Sequence, residues 1–500
     1  MKYLAKTIEY GLYLLVFLLP IQTRWIIKAG VLNGGPWEYG TYSLYGTDIL
    51  LIIVLLLFVI HTVRSRIAGH RARNASLARR AGTRNDNNPL NPPLEGGQIN
   101  TTRNDRMLHW FIGGLVLISA VSVFFAASKP LALYKLGWLI LGIGLFWLIV
   151  SASYNRLKLI YAIIFGLFFQ AFLGIWQFLT QSSFANKWLG MASHDGANLG
   201  VSVIETIGAD GIGERWLRAY AGLDHPNILG GIMAVGILMI IWQIIGIERV
   251  NNFQTIFNDK ILKYINSLLL IIFTAALFFS FSRAAWLGLA AGLMVLLFGA
   301  VIKKDWLAQK NILQTILISG AVIFILFLQY PNLAMTRLYA GDRLEVKSTN
   351  ERVESIKNSR LIIKNNWLFG AGLGNYTLAL SRQMPGQEIF YYQPAHNVFL
   401  LALAETGVMG FIFFIGLLFV VVSDRRGRGK LVYSDDNRRL LRSLLLPRND
   451  SIILIALVVV MSFDHWPWSL HFGVLFFWLM MGLAASEKRD ENSGFPLSRE

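Results

Sequence analysis

The residues best suited to chemistry lie in four short segments, each beside a long apolar run. The first segment holds Arg215, Arg218 and His225, and the next apolar run opens with Pro226, which suits the first turn of a helix. The second segment holds Arg283, in a very short link between two apolar runs. A guanidinium presents paired donors and keeps its charge, so arginine suits phosphate. These segments predict a site for a phosphate-bearing substrate, with a headgroup anchor as the alternative for Arg283.

The third segment begins at Arg352 and predicts an amphipathic helix as far as Trp367. We expect this helix to lie on a membrane domain formed by the long apolar runs. Its apolar residues recur at roughly helical spacing, namely Val353, Ile356, Leu361 and Ile362. A Gly-x-Gly-x-Gly run then occupies residues 370–374. Because this run follows a helix rather than a strand and has no P-loop lysine, we interpret it as a tight turn and not as a nucleotide loop.

The fourth segment, His396 and Asn397, precedes an apolar helix that we expect to stop at Gly407. One of the two residues should be the N-cap. The positive end of the helix dipole disfavours imidazolium, and a general base needs a neutral imidazole. A structural histidine at the interface is the alternative. Glu405 lies about 13 Å along the helix from His396, at a rise of about 1.5 Å per residue, so we expect it to satisfy a neighbouring helix instead.

The elements that must position these residues are membrane-spanning helices. Of the 500 residues, 55% are hydrophobic and only 15% are charged, and the mean hydropathy is +0.51. The apolar residues come in blocks of about 20, long enough to cross the hydrocarbon core. We predict an all-α polytopic membrane protein with about twelve transmembrane helices. The predicted spans are residues 8–22, 48–63, 108–127, 131–151, 158–178, 226–247, 262–281, 284–302, 312–330, 402–422, 450–463 and 469–485.

Lysine and arginine crowd the segments 64–107 and 424–449, which lie on the same side of the membrane as both termini if there are twelve spans. The positive-inside rule makes that side cytoplasmic. The net charge of +17 is thereby explained without nucleic acid. Two folded extracytoplasmic loops remain, at 179–225 and 331–401, and the second should carry the catalytic groups. The predicted organisation is spans in 1–63, 108–178, 226–330 and 402–486, a partly disordered basic loop at 64–107, and a cytoplasmic tail at 487–500.

The absence of cysteine excludes disulfides, thiolate nucleophiles and Cys-ligated metals. The predicted outer face also shows no Asp-x-Asp or histidine-rich metal pattern. A donor used outside a membrane, where there is no ATP, must arrive already activated, and a lipid pyrophosphate fits. Arginines would then stabilise the charge of its leaving group in place of a metal. We therefore predict neither a metal nor a cofactor.

Four stretches resemble the O-antigen ligase superfamily, which includes lipopolysaccharide O-antigen ligases, O-antigen polymerases and bacterial O-linked protein oligosaccharyltransferases. The stretches are 218–227 (RAYAGLDHPN), 282–288 (SRAAWLG), 352–375 (ending WLFGAGLGN) and 396–410 (HNVFLLALAETGVMG). A weaker match lies at Asp464-His465 and Trp468. In topology the resemblance extends over most of the chain from about residue 110.

The resemblance implies a GT-C-like, metal-independent glycosyltransferase in the bacterial inner membrane. Such an enzyme moves a glycan from undecaprenyl pyrophosphate to a hydroxyl of a glycan, lipid or protein on the extracytoplasmic face. By position, His396 would be the base, and Arg218 and Arg283 would hold the pyrophosphate. Substrate contacts would come from Arg215, His225, Arg352, Asn397 and Asp464.

Ligase, polymerase and oligosaccharyltransferase are all compatible with these motifs. A transporter of polyprenyl-linked glycans is an alternative from another class, but it would need polar groups at mid-membrane, whereas the polar groups here concentrate in outer loops. A peptidoglycan polymerase of the shape, elongation and division family is a third reading. That family would use a loop carboxylate as base, whereas the prominent group here is His396.

Overall fold

The computed structural model describes residues 2–82, 103–198, 200–207, 213–249, 259–339, 343–423 and 451–486. Within these ranges the chain is a bundle of long apolar helices with short strands at one end, which confirms the predicted all-α polytopic membrane fold. The helices are α1 Lys2–Leu18, α2 Gly46–Gly82, α3 Arg103–Phe125, α4 Lys129–Ser151, α5 Arg156–Thr180, α6 Pro226–Arg249, α7 Asp259–Ser280, α8 Arg283–Ile302, α9 Trp306–Gln329, α10 Pro331–Tyr339, α11 Arg343–Asn365, α12 Tyr376–Gln383, α13 Val398–Ser423, α14 Ser451–Met461, α15 Trp466–Ser469 and α16 His471–Ala485.

Nine helices of the described residues are long and apolar enough to cross a membrane, namely α2 to α9 and α13. The other three predicted spans correspond to α1, α14 and α16, which have 17, 11 and 15 residues. At about 1.5 Å per residue, all three are shorter than a hydrocarbon core of about 30 Å, the last two by the most. The predicted count of twelve is therefore not confirmed.

Helix α6 lies at the centre of the bundle. Of the residues in its apolar, membrane-spanning stretch, 89% are buried, compared with 22% for the corresponding stretch of α9. It packs against α5, α7, α8, α9 and α14, while α16 packs on α4 and α13 packs on α3. The C-terminal helices are thereby inserted among the N-terminal ones, which brings distant parts of the sequence to the same end.

Every second connection between the spans lies at the same end of the bundle, which we call the site end. Contacts join these connections, since the Ser128 amide donates to Asn375 Oδ1 at 2.7 Å and Arg382 donates to the Ala127 carbonyl at 2.8 Å. The sequence analysis assigns this end to the extracytoplasmic side. Its connections are residues 19–45, 126–128, 181–225, 281–282, 330–397 and 462–470.

Both predicted loops at the site end contain regular structure. The first has an antiparallel hairpin of β5 (Val203–Ile207) and β6 (Gly213–Leu217), with Val203 opposite Leu217. The second contains α10, α11 and α12. The sequence analysis missed a third structured connection, in which β1 (Arg24–Lys28) pairs with β4 (Tyr42–Tyr45) and β2 (Val31–Leu32) pairs with β3 (Gly35–Pro36).

Some predicted boundaries shift. Helix α1 ends at Leu18, before Pro20, and α2 runs on to Gly82 through much of the predicted basic loop. The amphipathic helix after Arg352 is present as α11, but three of its four predicted apolar residues are exposed. Val353, Ile356 and Leu361 are 49%, 42% and 39% exposed, whereas Ile362 is fully buried. The predictions for 83–102, 424–450 and 487–500 lie outside the described residues.

Candidate functional site

The turn of residues 280–283, between α7 and α8, is held by two buried arginines, and we call it the arginine-held turn. Arg218 donates from Nε and Nη2 to the Ser280 carbonyl at 2.9 and 2.7 Å. Arg337 donates likewise to the Phe281 carbonyl at 3.1 and 2.7 Å. Because Phe281 has a φ of 48°, the helix does not continue here and these carbonyls need other donors. The two guanidiniums thus fix the start of α8, whose first residue is Arg283.

Arg283 and Arg337 share the carboxylate of Glu345. Arg283 Nη2 lies 2.8 Å from Oε2, and Arg337 Nη1 hydrogen-bonds Oε1. The Arg283 contact is an ion pair without hydrogen-bond geometry. The side chains of Glu345 and Arg337 are 5% and 9% exposed, and that of Arg283 is 26% exposed. Arg283 is therefore neutralised on one side and open on the other.

Arg337 and Glu345 were not among the residues predicted from the sequence. They lie on either side of the break between α10 and α11, and nothing in their spacing distinguishes them from an exposed ion pair. The only signal available was the placement of an arginine and a glutamate within the loop predicted to be catalytic. Their burial depends on the fold of the whole loop.

Arg352 makes no side-chain hydrogen bond or ion pair within the part of the chain that the structure describes. Burial and the nearby Arg283 charge lower the pKa of Arg352. Burial and the Arg337 charge likewise lower the pKa of Arg218, and burial lowers that of Arg337 although Glu345 opposes it. Lowered values mean that positive charge is held here at an electrostatic cost. A bound anion would relieve that cost.

His396, Asp464 and His465 form the second half of the site, which we call the histidine cluster. One possible ligand atom from each lies within 4.8 Å of the other two. The two imidazole rings are 5.2 Å apart between centroids. The His396 amide donates to Ser355 Oγ at 3.3 Å, but its ring has no hydrogen bond with the described residues. The ring is thus available to a substrate.

The expectation that the site uses no metal remains a prediction. These three side chains could together hold an ion, although no metal-ligand pattern is visible in the sequence of the predicted outer face. The reason is that Asp464 and His465 lie between α14 and α15 and reach His396 only through the packing of the helices. A search for ligands at short spacing does not detect such a group.

Burial lowers the pKa of His396, and the Arg352 charge adds to the effect, while Asp464 opposes it. Burial also lowers the pKa of His465 to about 4. Burial alone would raise the pKa of Asp464, but the surrounding histidines and the Asn227 hydrogen bond lower it. At neutral pH the cluster therefore contains neutral imidazoles and an ionised carboxylate.

Asn227 joins the two halves of the site. Its Oδ1 accepts from Arg218 Nη2 at 2.8 Å, and its Nδ2 donates to Asp464 Oδ2 at 2.8 Å. The neighbouring His225 accepts from the Asn227 amide through Nδ1 at 3.1 Å, and its Nε2 lies 2.8 Å from Ser202 Oγ. Nε2 must then carry the proton and donate it to Ser202. Burial lowers the pKa of His225 to about 3, so its ring is neutral.

The side chains of Asn397 and Arg215 form their hydrogen bonds with residues other than Arg352 and His396. Asn397 is the N-cap of α13, because its Oδ1 accepts from the Leu400 amide at 3.0 Å, and its Nδ2 donates to the Ser462 carbonyl at 2.9 Å. Arg215 lies on β6, where it donates to the Ala197 carbonyl at 3.1 Å and lies 3.7 Å from Glu205. The structure thus brings together all the predicted site residues except Arg215.

The turn formed by the glycine run hydrogen-bonds to helix α13 at the point where that helix is interrupted. Gly370, Gly372 and Gly374 all have positive φ, which confirms a tight turn, and Gly407 (φ 67°) interrupts α13 rather than ending it. The freed backbone groups bond to the turn. The Ala371 and Gly372 amides donate to the carbonyls of residues 404 and 405 at 2.8 and 3.0 Å, and the Val408 amide donates to residue 367 at 2.8 Å. Such pairing is required wherever a helix breaks inside a membrane domain.

Glu405, beside that break, bonds to neighbouring elements as expected. Its Oε2 accepts from Trp468 Nε1 at 2.8 Å and its Oε1 from the Tyr376 amide at 3.4 Å. Glu405 also lines a partly open cavity of about 40 Å³ with Lys135 and Trp138. The cavity is lined by neither the site arginines nor His396.

The 19–45 connection, whose strands were not predicted from the sequence, lies against the site. The Tyr39 ring lies 5.9 Å from that of His465 between centroids, and its hydroxyl donates to Gln393 Oε1 at 3.1 Å. Asn33 donates to the Gln387 carbonyl at 3.3 Å. This segment therefore forms one wall beside the histidine cluster.

Together, the helical bundle and the charged site at one end define a multi-pass membrane protein. Residues 268–415 match the family model described as O-antigen ligase, and this match supports membership of the O-antigen ligase superfamily. It points to an enzyme of the glycosyltransferase or ligase type, with a lipid-linked glycan and an acceptor as its partners in general terms. The matched region includes Arg283, Arg337, Glu345, Arg352 and His396. No curated protein matches the chain.

Proposed function

We propose that this protein moves a glycan from undecaprenyl pyrophosphate to an acceptor hydroxyl at the extracytoplasmic face of the bacterial inner membrane, without a metal. The observation that supports this most strongly is a pair of groups that make no side-chain hydrogen bond or ion pair with the described residues, the Arg352 guanidinium and the His396 ring. Both interact electrostatically with Asp464. A cation open to a phosphate beside a neutral base open to a hydroxyl suits glycan transfer from a lipid pyrophosphate.

In this proposal His396 takes the proton of the acceptor hydroxyl, and the acceptor oxygen bonds to the anomeric carbon of the donor. The bond from that carbon to the pyrophosphate oxygen breaks, and the electron pair leaves with undecaprenyl pyrophosphate. Arg283 and Arg352 stabilise the developing charge. Arg218 adds positive charge nearby and, with Arg337, holds the turn that carries Arg283.

The remaining predicted residues support these groups. Asn397 fixes the start of α13 next to His396, and Asp464 balances the charge around the base. His225 and Arg215 hold the described part of the 181–225 connection through Ser202 and Ala197. We propose that both termini are cytoplasmic. The basic segments predicted from the sequence lie on the same side of the membrane as the termini, and the positive-inside rule makes that side cytoplasmic.

The test is glycan transfer in proteoliposomes with His396→Ala and, as matched control, His194→Ala. His194 lies on the same end of the bundle, where its ring stacks on Tyr220 at 3.9 Å between centroids, outside the histidine cluster. We expect His396→Ala to lose transfer by about 100-fold or more, the usual contribution of a general base, while His194→Ala stays near wild type. Near wild-type transfer by His396→Ala would show that His396 is not the base.

The acceptor is decided by the same assay with three hydroxyl sources. A lipid A-core acceptor identifies a ligase, the end of a growing glycan identifies a polymerase, and a serine or threonine peptide identifies a protein oligosaccharyltransferase. Each uses the same donor, so a single preparation of lipid-linked glycan serves all three. Transfer to none of them would contradict the proposed reaction.

A further inference from the structure

We infer that His396, Asp464 and His465 form a zinc site, and that zinc bound there blocks glycan transfer. The inhibitory part rests on the proposed function, whereas the binding part does not. The site is assembled from the start of α13 and the link between α14 and α15, within the described residues.

The geometry of the three side chains suits a transition metal. Their candidate ligand atoms already lie within 4.8 Å of one another. Around a zinc ion with bonds of about 2.0–2.2 Å, ligand atoms are about 3–3.5 Å apart, so small rotations of the rings would close the site. Two imidazoles and a carboxylate, with a fourth position open, is a recurrent zinc ligand set.

The polar groups behind these ligands are also in place. The His465 Nδ1 lies 2.6 Å from Ser469 Oγ, which leaves Nε2 of that ring for the ion. Asp464 Oδ2 accepts from Asn227 at 2.8 Å, and Oδ1 accepts from the His465 amide at 2.8 Å. Each carboxylate oxygen keeps a second lone pair. Partners of this kind orient metal ligands and raise their affinity.

The surrounding charge selects among metals. Arg218 and Arg352 interact electrostatically with this cluster and oppose any cation. Magnesium and calcium bind through several oxygen ligands, and the cluster has one carboxylate. Zinc bonds well to imidazole nitrogen and so depends less on the charge of the site. We therefore expect zinc to bind and magnesium not to bind.

Binding and catalysis compete for the same atom. The lone pair of His396 that would take the acceptor proton is the lone pair that would bind the metal. An occupied site would hold the base, and transfer would stop until the ion left. The proposed reaction therefore proceeds without a metal and is inhibited by one.

The binding test is equilibrium dialysis of the purified full-length protein against zinc chloride, followed by metal analysis. We expect about one zinc ion per wild-type chain, loss of that ion in His465→Ala, and its retention in His194→Ala. Ser469→Ala, which keeps all three ligands, should weaken zinc binding by about 10-fold, the usual effect of removing a partner behind a ligand. Elution of each variant as a single species in size-exclusion chromatography establishes that it is folded. Absence of zinc from the wild type, or its retention in His465→Ala, would overturn the site.

The inhibition test adds zinc, magnesium or EDTA to the transfer assay. We expect zinc to abolish transfer by the wild type, EDTA to restore it and magnesium to have no effect. Zinc that binds without inhibiting would overturn the blocking role. If wild-type protein transfers no glycan under any condition, the proposed function fails, while the dialysis result still decides the zinc site.

Discussion

In the arginine-held turn, most polar atoms already have partners. Arg218 and Arg337 each place two nitrogens on a backbone carbonyl, and Glu345 joins Arg337 to Arg283. In and beside the histidine cluster, by contrast, the His396 ring and the Arg352 guanidinium make no side-chain hydrogen bond or ion pair with the described residues. Arg218 and Arg337 therefore build the site, Arg283 is partly open, and Arg352 is open to a ligand. Residue type alone does not distinguish them.

The largest effect should come from removing the carboxylate of the turn. Glu345→Ala leaves the buried Arg337 charge uncompensated, and we expect a loss of about 3–5 kcal/mol in the free energy of unfolding. Denaturant unfolding in detergent measures it. Glu351→Ala is the matched control, because Glu351 is on the same helix but pairs with Lys347 at the surface, with 52% of its side chain exposed. Equal stability of the two variants would contradict a supporting role for Glu345.

The opposite pattern is expected for the open arginine. Arg352→Ala should lower transfer by about 100- to 1,000-fold, as the loss of one charge-stabilising donor does, with little change in stability. Transfer rates and unfolding are measured on the same preparation. Arg360→Ala, an exposed arginine further along α11, should leave both unchanged. A large loss of unfolding free energy in Arg352→Ala would mean that Arg352 supports the structure, as Arg218 and Arg337 do.

A smaller effect is expected at the turn that completes the broken helix α13. A Cβ at Gly370 would lie 2.2 Å from the backbone of Glu405, whereas one at Gly386 would meet nothing within 4 Å. Both glycines have positive φ, at 75° and 84°. Gly386→Ala should therefore cost about 1 kcal/mol of unfolding free energy from backbone strain alone, and Gly370→Ala should cost clearly more. Similar losses would mean that the turn is not tightly packed on α13.

The smallest effect concerns pH. Burial and Arg352 lower the pKa of His396, so the base is neutral above that lowered value and becomes protonated below it. The rate of transfer should stay constant from pH 7 down to about 6.5, the ordinary pKa of histidine, and fall only in more acidic solution. A pH–rate profile in proteoliposomes measures this. A rate that already falls between pH 7.5 and 6.5 would place the base in a more exposed setting.

The sequence by itself determined the membrane class, most of the helices and the four segments that carry the site. Long apolar blocks fold into helices in a membrane because no other local structure satisfies the backbone there. Caps and glycines act over a few residues, so the N-cap at Asn397 and the turn at 370–374 were also predictable. The family resemblance rested on those same local motifs.

Only the tertiary structure decided which polar groups meet. The packing of α14 and α16 among the earlier helices brings Asp464 and His465 to His396, and the fold of the 330–397 connection buries Glu345 between two arginines. It also decided that Arg218 bonds to a carbonyl while Arg352 stays open. Electrostatic and hydrogen-bonding partners depend on distances of a few ångströms between residues far apart in the chain, and hydropathy and spacing carry no information about such distances.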